Sequence, residues 1–94
     1  MAELAAVQVV VYGRVQGIFF RAFAARRADE LGLSGYVRNL SGGEAVEVNA
    51  EGARNKLQEL INYLKVGPPT AEVSKVETRW SGYTGGYSGF SVRC

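Results

Sequence analysis

Residues 7–31, VQVVVYGRVQGIFFRAFAARRADEL, join a strand-like segment to a helix-like one through a glycine-flanked connector. Residues 7–12 are nearly all β-branched or aromatic, which is typical of a strand buried on both faces. Apolar residues recur at helical spacing over 20–31, and Gly32 follows as a stop signal. The connector, residues 13–21, carries two glycines, two arginines and two phenylalanines, more than turning the chain requires. We therefore expect it to have a chemical role.

Strand-like and helix-like segments continue to alternate along the rest of the chain. The predicted strands cover, in order, residues 7–12, 35–40, 45–50, 75–80 and a short segment at 90–92. The predicted helices cover residues 20–31 and 53–65. Residues 82–89 contain four glycines and two tyrosines, and this composition predicts a mobile loop.

This β-α-β-β-α-β order is that of the split β-α-β, or ferredoxin-like, α+β fold. It predicts an antiparallel sheet with two helices on one face and a short extra C-terminal strand. We expect a single domain over residues 1–94, with a flexible N-terminus at residues 1–6. Because the fold hosts enzymes, regulators and RNA-binding modules alike, it does not decide the function.

The composition excludes several kinds of active site. The chain has no histidine, which rules out Ser–His and Cys–His nucleophilic schemes and His-ligated zinc. Its only aspartate, Asp29, lies in a predicted helix, so a cluster of Mg²⁺-binding carboxylates is not expected. Its only cysteine, Cys94, cannot form an internal disulfide. We expect no metal and no cofactor, and chemistry based on arginines, amides and backbone groups.

Charge and hydropathy limit the kinds of partner that we expect the chain to bind. A net charge of +2 suits a small anionic ligand but is too weak to indicate nucleic-acid binding. No apolar run approaches the roughly 20 residues that span a bilayer, and the first six residues lack the basic and apolar regions of a signal peptide. We therefore expect a cytoplasmic monomer that binds neither nucleic acid nor membrane.

The connector has the properties of an anion site. A glycine-flanked loop can turn several N–H groups inward, and the next helix adds its own free N–H groups. Arg21, in the first turn of that helix, offers a planar fork of donors suited to phosphate. Alternatively, Gly13 and Gly17 only shape the turn, Phe19 and Phe20 pack in the core, and the arginines are solvated. The pattern leaves both interpretations open.

Two separated motifs resemble those of the acylphosphatase family. The connector GRVQGIFFR is similar to the family signature G-x-V-Q-G-V-x-F-R, with Ile18 in place of a valine. Residues 35–39, GYVRN, followed by Gly43, Val46 and Gly52, are similar to a second family pattern. One extra residue at Glu44-Ala45 predicts a longer hairpin turn or a bulge. The resemblance extends from Val7 to Arg93.

The resemblance implies an enzyme that hydrolyses carboxylic–phosphoric mixed anhydrides to carboxylate and inorganic phosphate without a metal. It implies that Arg21 holds the phosphoryl group and that Asn39 orients the attacking water. The loop amides that would share the phosphoryl group belong to Arg14, Val15, Gln16, Gly17 and Ile18. The side chains of Arg14 and Arg38 are expected in solvent. Core or pocket-wall positions are expected for Tyr12, Phe19, Phe23 and Tyr36.

Three other interpretations are weighed against this one. An RNA-binding module of the same fold would carry aromatic residues on its central strands, whereas the third predicted strand has none and contains Glu47. A regulatory domain that binds a small ligand would bind phosphate without turnover. A third possibility resembles the N-terminal module of hydrogenase-maturation carbamoyltransferases. The end of the chain soon after the last strand favours a free-standing enzyme.

Overall fold

The computed structural model describes residues 3–93, apart from the side chain of Ile18. Its elements are, in order, β1 (Leu4–Arg14), α1 (Ile18–Glu30), β2 (Ser34–Asn39), β3 (Ala45–Ala53), α2 (Arg54–Val66), β4 (Glu72–Ser81) and β5 (Phe90–Arg93). The predicted order of strands and helices is confirmed. Neither helix of the described residues is long and apolar enough to cross a membrane.

The strands form one five-stranded sheet in the order β4-β1-β3-β2-β5. Strand β1 is antiparallel to β3 and β4, and β2 is antiparallel to β3. Strand β5 adds to the edge of the sheet, parallel to β2. Both helices pack on the sheet and on each other. The predicted ferredoxin-like α+β fold and its extra strand are confirmed.

The core lies between the helices and one face of the sheet. Its largest fully buried side chains are valines from the central strands and leucines from α2: Val9, Val11, Val37, Val46, Val48, Leu57, Leu60 and Leu64. Each such side chain contributes about 1.5–3 kcal/mol when it is removed from water. From α1, the buried residues are Phe20, Ala24 and Ala28, whose spacing follows the helical repeat.

Register places Asn39 on the helix-covered face. Asn39 pairs with Val46, and Val46 pairs with Val11. Residues directly opposite each other in antiparallel strands share a face. Because both valines are fully buried in the core, the side chain of Asn39 lies on the same side of the sheet as the two helices.

The position of Arg27 shows how α1 is rotated relative to α2. The Arg27 guanidinium lies 5.5 Å from the ring centroid of Phe23 and 4.5 Å from that of Tyr63 in α2. This flank of α1 therefore faces α2. Residues two apart are separated by about 200° around a helix, so Arg21 lies on the opposite flank from Phe23. That flank faces β2 and β5, the strands against which α1 packs.

The start of the chain differs from the prediction. Strand β1 begins at Leu4, where a flexible segment over residues 1–6 was expected. Residues 4–6 pair with residues 51–53 of β3, and the small side chains of Ala5 and Ala6 are buried. Residues 1 and 2 lie outside the described part of the chain. The strand is also buried mainly on one face, because Gln8, Val10 and Tyr12 are only half-buried.

The glycine-rich segment 82–89 is tied to the sheet, contrary to the expected mobile loop. Glu51, which is 4% exposed, accepts hydrogen bonds from the Thr84 hydroxyl at 2.7 Å and from the Gly85 N–H at 2.9 Å. The N–H of Thr84 lies 3.2 Å from the same carboxylate. At the other end, the Gly35 N–H donates to the Gly89 carbonyl at 2.9 Å. A buried carboxylate from β3 thus anchors the segment, and its composition alone gave no sign of this partner.

Candidate active site

The connector between β1 and α1 is held against the β2–β3 turn. The Gln16 side-chain amide donates to the carbonyls of Leu40 at 2.9 Å and Ala45 at 3.0 Å. The Gly13 N–H donates to the Glu44 carbonyl at 3.1 Å. Leu40 directly follows Asn39, so these hydrogen bonds place the connector beside that residue. Glu44 and Ala45, where the sequence predicts a longer turn or a bulge, both accept hydrogen bonds from the connector.

Glycine is required at both ends of the connector. Gly13 has φ 126°, and a Cβ at this position would collide with the Glu72 carbonyl oxygen. Gly17 precedes α1 with φ 142° and ψ 163°, a region that is essentially restricted to glycine. The two glycines therefore do shape the turn, as one of the open interpretations holds. Shaping the backbone and binding an anion are compatible roles.

The five predicted phosphate-binding residues of the connector have different environments. Arg14, Gln16 and Gly17 are exposed, whereas Val15 is buried in the core at 2% exposure. The Val15 N–H already donates to the Gly13 carbonyl at 2.9 Å, so this amide has a partner in the present conformation. Ile18 begins α1. Arg14, Val15 and Gln16 also line a cleft of about 410 Å³, whose lining does not include Arg21 or Asn39.

The N-terminus of α1 is open to an anion. Its first turn contains no acidic residue, and no side chain caps its free N–H groups. These groups carry partial positive charge. Within residues 3–93, neither Arg14 nor Arg21 forms an ion pair with a carboxylate. A helix end and an arginine therefore concentrate positive charge here with no acidic side chain of the first turn to neutralise it.

Arg21 and Asn39 each contribute a buried polar atom that lacks a hydrogen-bond partner among the described residues. These atoms are the donor Nε of Arg21 and the acceptor Oδ1 of Asn39. Leaving such a group unsatisfied costs about 1–3 kcal/mol. A phosphoryl oxygen would satisfy the first atom and a water O–H the second. Arg27 Nε is also buried and unpartnered in this part of the chain, but it stacks on Phe23 and Tyr63 at the other flank.

The expected core or pocket-wall positions are found only in part. Phe19 and Phe23 line a surface groove and Tyr12 lines the cleft beside Arg14, but Phe19, Tyr12 and Tyr36 are not in the core. Phe19 is 72% exposed and does not belong to the core. Tyr12 and Tyr36 lie half-buried on the sheet face away from the helices, where the Tyr12 hydroxyl donates to Glu77 at 2.8 Å. Both tyrosines alternate along their strands with core valines, which puts them on the other face.

Arg38 has a partner that the sequence did not reveal. It is partly exposed, as expected, but its Nε donates to Glu47 on β3 at 2.6 Å. Gln8 donates to the other oxygen of the same carboxylate at 2.6 Å. Burial would raise the pKa of Glu47, but the hydrogen bonds from Arg38 and Gln8 outweigh it and lower that pKa. The pair could be found only by knowing that β2 and β3 set these residues opposite each other.

No group of three or more His, Cys, Asp or Glu side chains in residues 3–93 is arranged to hold a metal ion. Where β1 and β2 end and α1 begins, the polar groups include two arginines, Arg14 and Arg21, the side-chain amides of Gln16 and Asn39, and backbone N–H groups. Such groups can bind an oxyanion and orient a water molecule. None of them is a nucleophile.

Comparison with known proteins shows the family to which the chain belongs. Residues 7–92 match the acylphosphatase family. An acylphosphatase of Dehalococcoides mccartyi is 47% identical over 87 residues, which cover 93% of this chain and 96% of that protein. One from Thermus thermophilus is 51% identical over 83 residues, covering 88% and 92%. The crystal structure of the Bacillus subtilis acylphosphatase has a TM-score of 0.89 at 36% identity and covers 98% of this chain and 100% of that one. By sequence over nearly its whole length and by fold, this chain belongs to the acylphosphatase family.

Proposed function

We propose that this chain hydrolyses acyl phosphates to a carboxylate and inorganic phosphate, with Arg21 holding the phosphoryl group and Asn39 orienting the attacking water. The observation that carries the proposal is the pair of buried, unpartnered atoms, Arg21 Nε and Asn39 Oδ1. They lie beside a helix N-terminus that has no acidic residue in its first turn. Membership of the acylphosphatase family supports the same reaction.

The phosphoryl group is bound by Arg21 together with backbone N–H groups of residues 14–18. Arginine presents parallel N–H groups whose spacing matches two phosphoryl oxygens, and charge-assisted hydrogen bonds of this kind are roughly twice as strong as neutral ones. Because the Val15 N–H is bonded to Gly13 in the present conformation, it joins the phosphate only if that bond is exchanged. The amides of Gln16, Gly17 and Ile18 lie beyond the end of β1 and need no such exchange with Gly13, whereas Arg14 pairs with Glu72 in the sheet.

Asn39 acts on the water molecule. Its Oδ1 accepts a hydrogen bond from the water O–H, which aims an oxygen lone pair of the water at phosphorus. An amide cannot take up a proton at neutral pH, so Asn39 orients the water without acting as its base. The proton passes to a phosphoryl oxygen or to solvent.

So few groups suffice because the leaving group is good. A carboxylate departs from phosphorus as a weak base with a pKa of about 4, and it needs no general acid. Phosphoryl transfer through a loose transition state requires mainly positioning and charge stabilisation. Orientation of the reactants can supply about 7–11 kcal/mol, and a preorganised donor can add about 3–4 kcal/mol.

The test is phosphate release from benzoyl phosphate with EDTA present, using wild type, Arg21→Ala and Asn39→Ala. Arg79→Ala, an exposed arginine of β4, and Asn55→Ala, an exposed asparagine of α2, are the matched controls. A phosphate monoester tests specificity. Turnover without metal that falls at least 100-fold in both site variants and persists in both controls supports the proposal.

Other outcomes would count against it. If wild type is folded and binds phosphate but turns nothing over, the chain is a small-ligand-binding regulatory domain. If activity disappears with EDTA, the reaction needs a metal that the proposal does not include. We also propose that the protein is a cytoplasmic monomer that binds neither nucleic acid nor membrane. Sedimentation velocity, cell fractionation and a mobility shift with RNA test these points.

A further inference from the structure

Phe19 is the least expected surface residue near the proposed site. Its side chain is 72% exposed, although the residue directly follows Ile18 at the end of the phosphate-binding connector. Phe19 lies at one end of a surface groove of about 640 Å³, a volume typical of small-molecule sites. We call this the α1 groove. Apart from three charged residues and Thr70, its lining is apolar and consists of Phe19, Ala22, Phe23, Pro68 and Pro69.

The α1 groove lies on the flank of α1 that faces α2. Phe19 and Phe23 are four residues apart and so share a face of the helix. Phe23 is in contact with Arg27, which stacks on Tyr63 of α2. Pro68 and Pro69 come directly after α2. Arg21 is two residues from both phenylalanines, about 200° around the helix, on the flank that faces β2.

The in-line geometry of phosphoryl transfer indicates where the acyl group of the substrate lies. In phosphoryl transfer, the attacking and leaving oxygens are roughly in line on opposite sides of phosphorus. With the attacking water at Asn39, on the β2 side of α1, the leaving carboxylate points away from β2. It therefore points towards the α2 side, where the α1 groove begins at Phe19.

We propose that the α1 groove binds the acyl group, so that the favoured substrates are acyl phosphates with an aromatic or branched apolar acyl group. This inference rests on the proposed function, because it takes the positions of phosphoryl group and water from it. The ring of Phe19 offers a face for an aromatic acyl group, and Phe23 with the two prolines extends the apolar surface. An acetyl group is too short to use most of the groove.

The charged end of the groove does not alter this chemistry. Arg27 and Glu30 form an ion pair at 3.0 Å, and Arg26 lies 3.9 Å from the same carboxylate. Arg26, Arg27 and Glu30 lie about two or more helical turns after Phe19, on the side of the groove away from the connector. The acyl group nearest the phosphate thus meets apolar side chains first.

The experiment compares kcat/KM for benzoyl phosphate and acetyl phosphate in wild type, Phe19→Ala, Phe19→Trp and Val66→Ala. Val66 is a matched control because it is 78% exposed and apolar but does not line the groove. We expect the benzoyl-to-acetyl ratio to fall about two- to tenfold in Phe19→Ala, the size of a lost aromatic contact. Phe19→Trp, which keeps an aromatic ring, should retain the wild-type ratio, and Val66→Ala should leave the ratio unchanged. Comparing this ratio between the variants cancels the intrinsic difference between the two leaving groups.

The outcomes distinguish a failure of this inference from a failure of the proposed function on which it rests. If wild type hydrolyses both substrates and Phe19→Ala leaves the ratio unchanged, the groove assignment is overturned while the proposed function stands. A parallel loss with both substrates overturns it too, because Phe19 then acts on the connector and not on the acyl group. If folded wild type hydrolyses neither substrate, both proposals fail. Circular dichroism spectra confirm that each variant is folded.

Discussion

Gln16 spans from the connector to the carbonyl of Leu40, the residue after Asn39, with a hydrogen bond of 2.9 Å. Its second hydrogen bond, to Ala45 at 3.0 Å, reaches the other side of the same turn. One side-chain amide thus links the proposed phosphate-binding connector to the strand end that carries the proposed water-orienting residue. This amide and the hydrogen bond from the Gly13 N–H to the Glu44 carbonyl together join the two halves of the site.

Gln16→Leu is expected to lower kcat about 10- to 100-fold, because small displacements of reacting groups have effects of this size. Thermal stability should change little, since Gln16 is exposed. Steady-state kinetics with benzoyl phosphate and a melting curve measure the two quantities. Gln58→Leu, an exposed glutamine of α2, is the control. Full activity in Gln16→Leu would show that the turn and the connector hold their positions without this amide.

Inorganic phosphate is expected to stabilise the folded protein through Arg21. A ligand that binds only the folded state at 100 times its Kd adds about 2.7 kcal/mol to the free energy of unfolding. For a domain of this size, each kcal/mol raises Tm by about 4–8 °C. Phosphate should therefore raise the Tm of wild type and of Arg26→Ala but not that of Arg21→Ala. Equal shifts in all three proteins would mean that phosphate acts elsewhere on the surface.

The connector glycines should differ in a definite order when replaced by alanine. Gly13→Ala meets both an unfavourable φ and a collision with the Glu72 carbonyl. In Gly17→Ala only the φ is unfavourable, because nothing lies within 4 Å of the added Cβ. The strained backbone should cost about 1–3 kcal/mol of stability. Gly82→Ala meets neither obstacle and is the control. Urea unfolding should give the largest loss for Gly13, a smaller one for Gly17 and almost none for Gly82. A loss at Gly82 equal to that at Gly17 would contradict the conformational argument.

The sequence predicted the fold because its local signals agree with one another. Helical apolar spacing, strand alternation and glycine or proline at the boundaries all point to one β-α-β-β-α-β order. The pairing of Arg21 with Asn39 came from resemblance to a family, since the two residues are 18 positions apart in sequence. Spacing alone could not bring them together.

Long-range partners were beyond the reach of the sequence. Whether Phe19 is buried depends on the rotation of α1, in which Arg27 stacks on Phe23 of the same helix and on Tyr63 of α2. Glu51 and Thr84 meet across 33 residues, so composition predicted a mobile loop where the structure has an anchored one. Strand register, known only from the sheet, sets Arg38 opposite Glu47.

Arg38→Ala is expected to reduce stability by more than Arg79→Ala does, because it removes the charged hydrogen-bond partner of the buried Glu47 carboxylate. Arg38→Lys should recover part of the loss, since lysine restores the charge but not the Nε–H geometry. Urea unfolding at pH 7 measures both. Arg79→Ala, an exposed arginine on β4 of the same sheet, is the control. A loss no larger than that of Arg79→Ala would show that solvent replaces the arginine without cost.

Glu51 should make the anchoring of residues 82–89 sensitive to acid. Burial would raise the pKa of Glu51, but hydrogen bonds from the Thr84 hydroxyl and the Gly85 N–H outweigh it and hold that pKa below the ordinary value of 4.5. A carboxylate with a lowered folded-state pKa contributes stability that is fully present above 4.5 and is lost as pH falls through the folded-state value. Glu51→Gln should therefore be less stable than wild type at pH 7, by about 1–3 kcal/mol.

The difference in stability between wild type and Glu51→Gln should shrink steadily as the pH is lowered from 5, because a protonated Glu51 side chain resembles glutamine. The comparison must be between wild type and variant, since the carboxyls of Glu47 and Glu77 also have lowered pKa values and contribute to acid unfolding in both proteins. Urea unfolding from pH 7 down to pH 3 measures the difference. Glu72→Gln, an exposed glutamate at the start of β4, should show no such trend. A wild-type advantage that stays constant down to pH 3 would mean that the carboxylate charge of Glu51 does not hold the segment, because its protonation would then have no effect on stability.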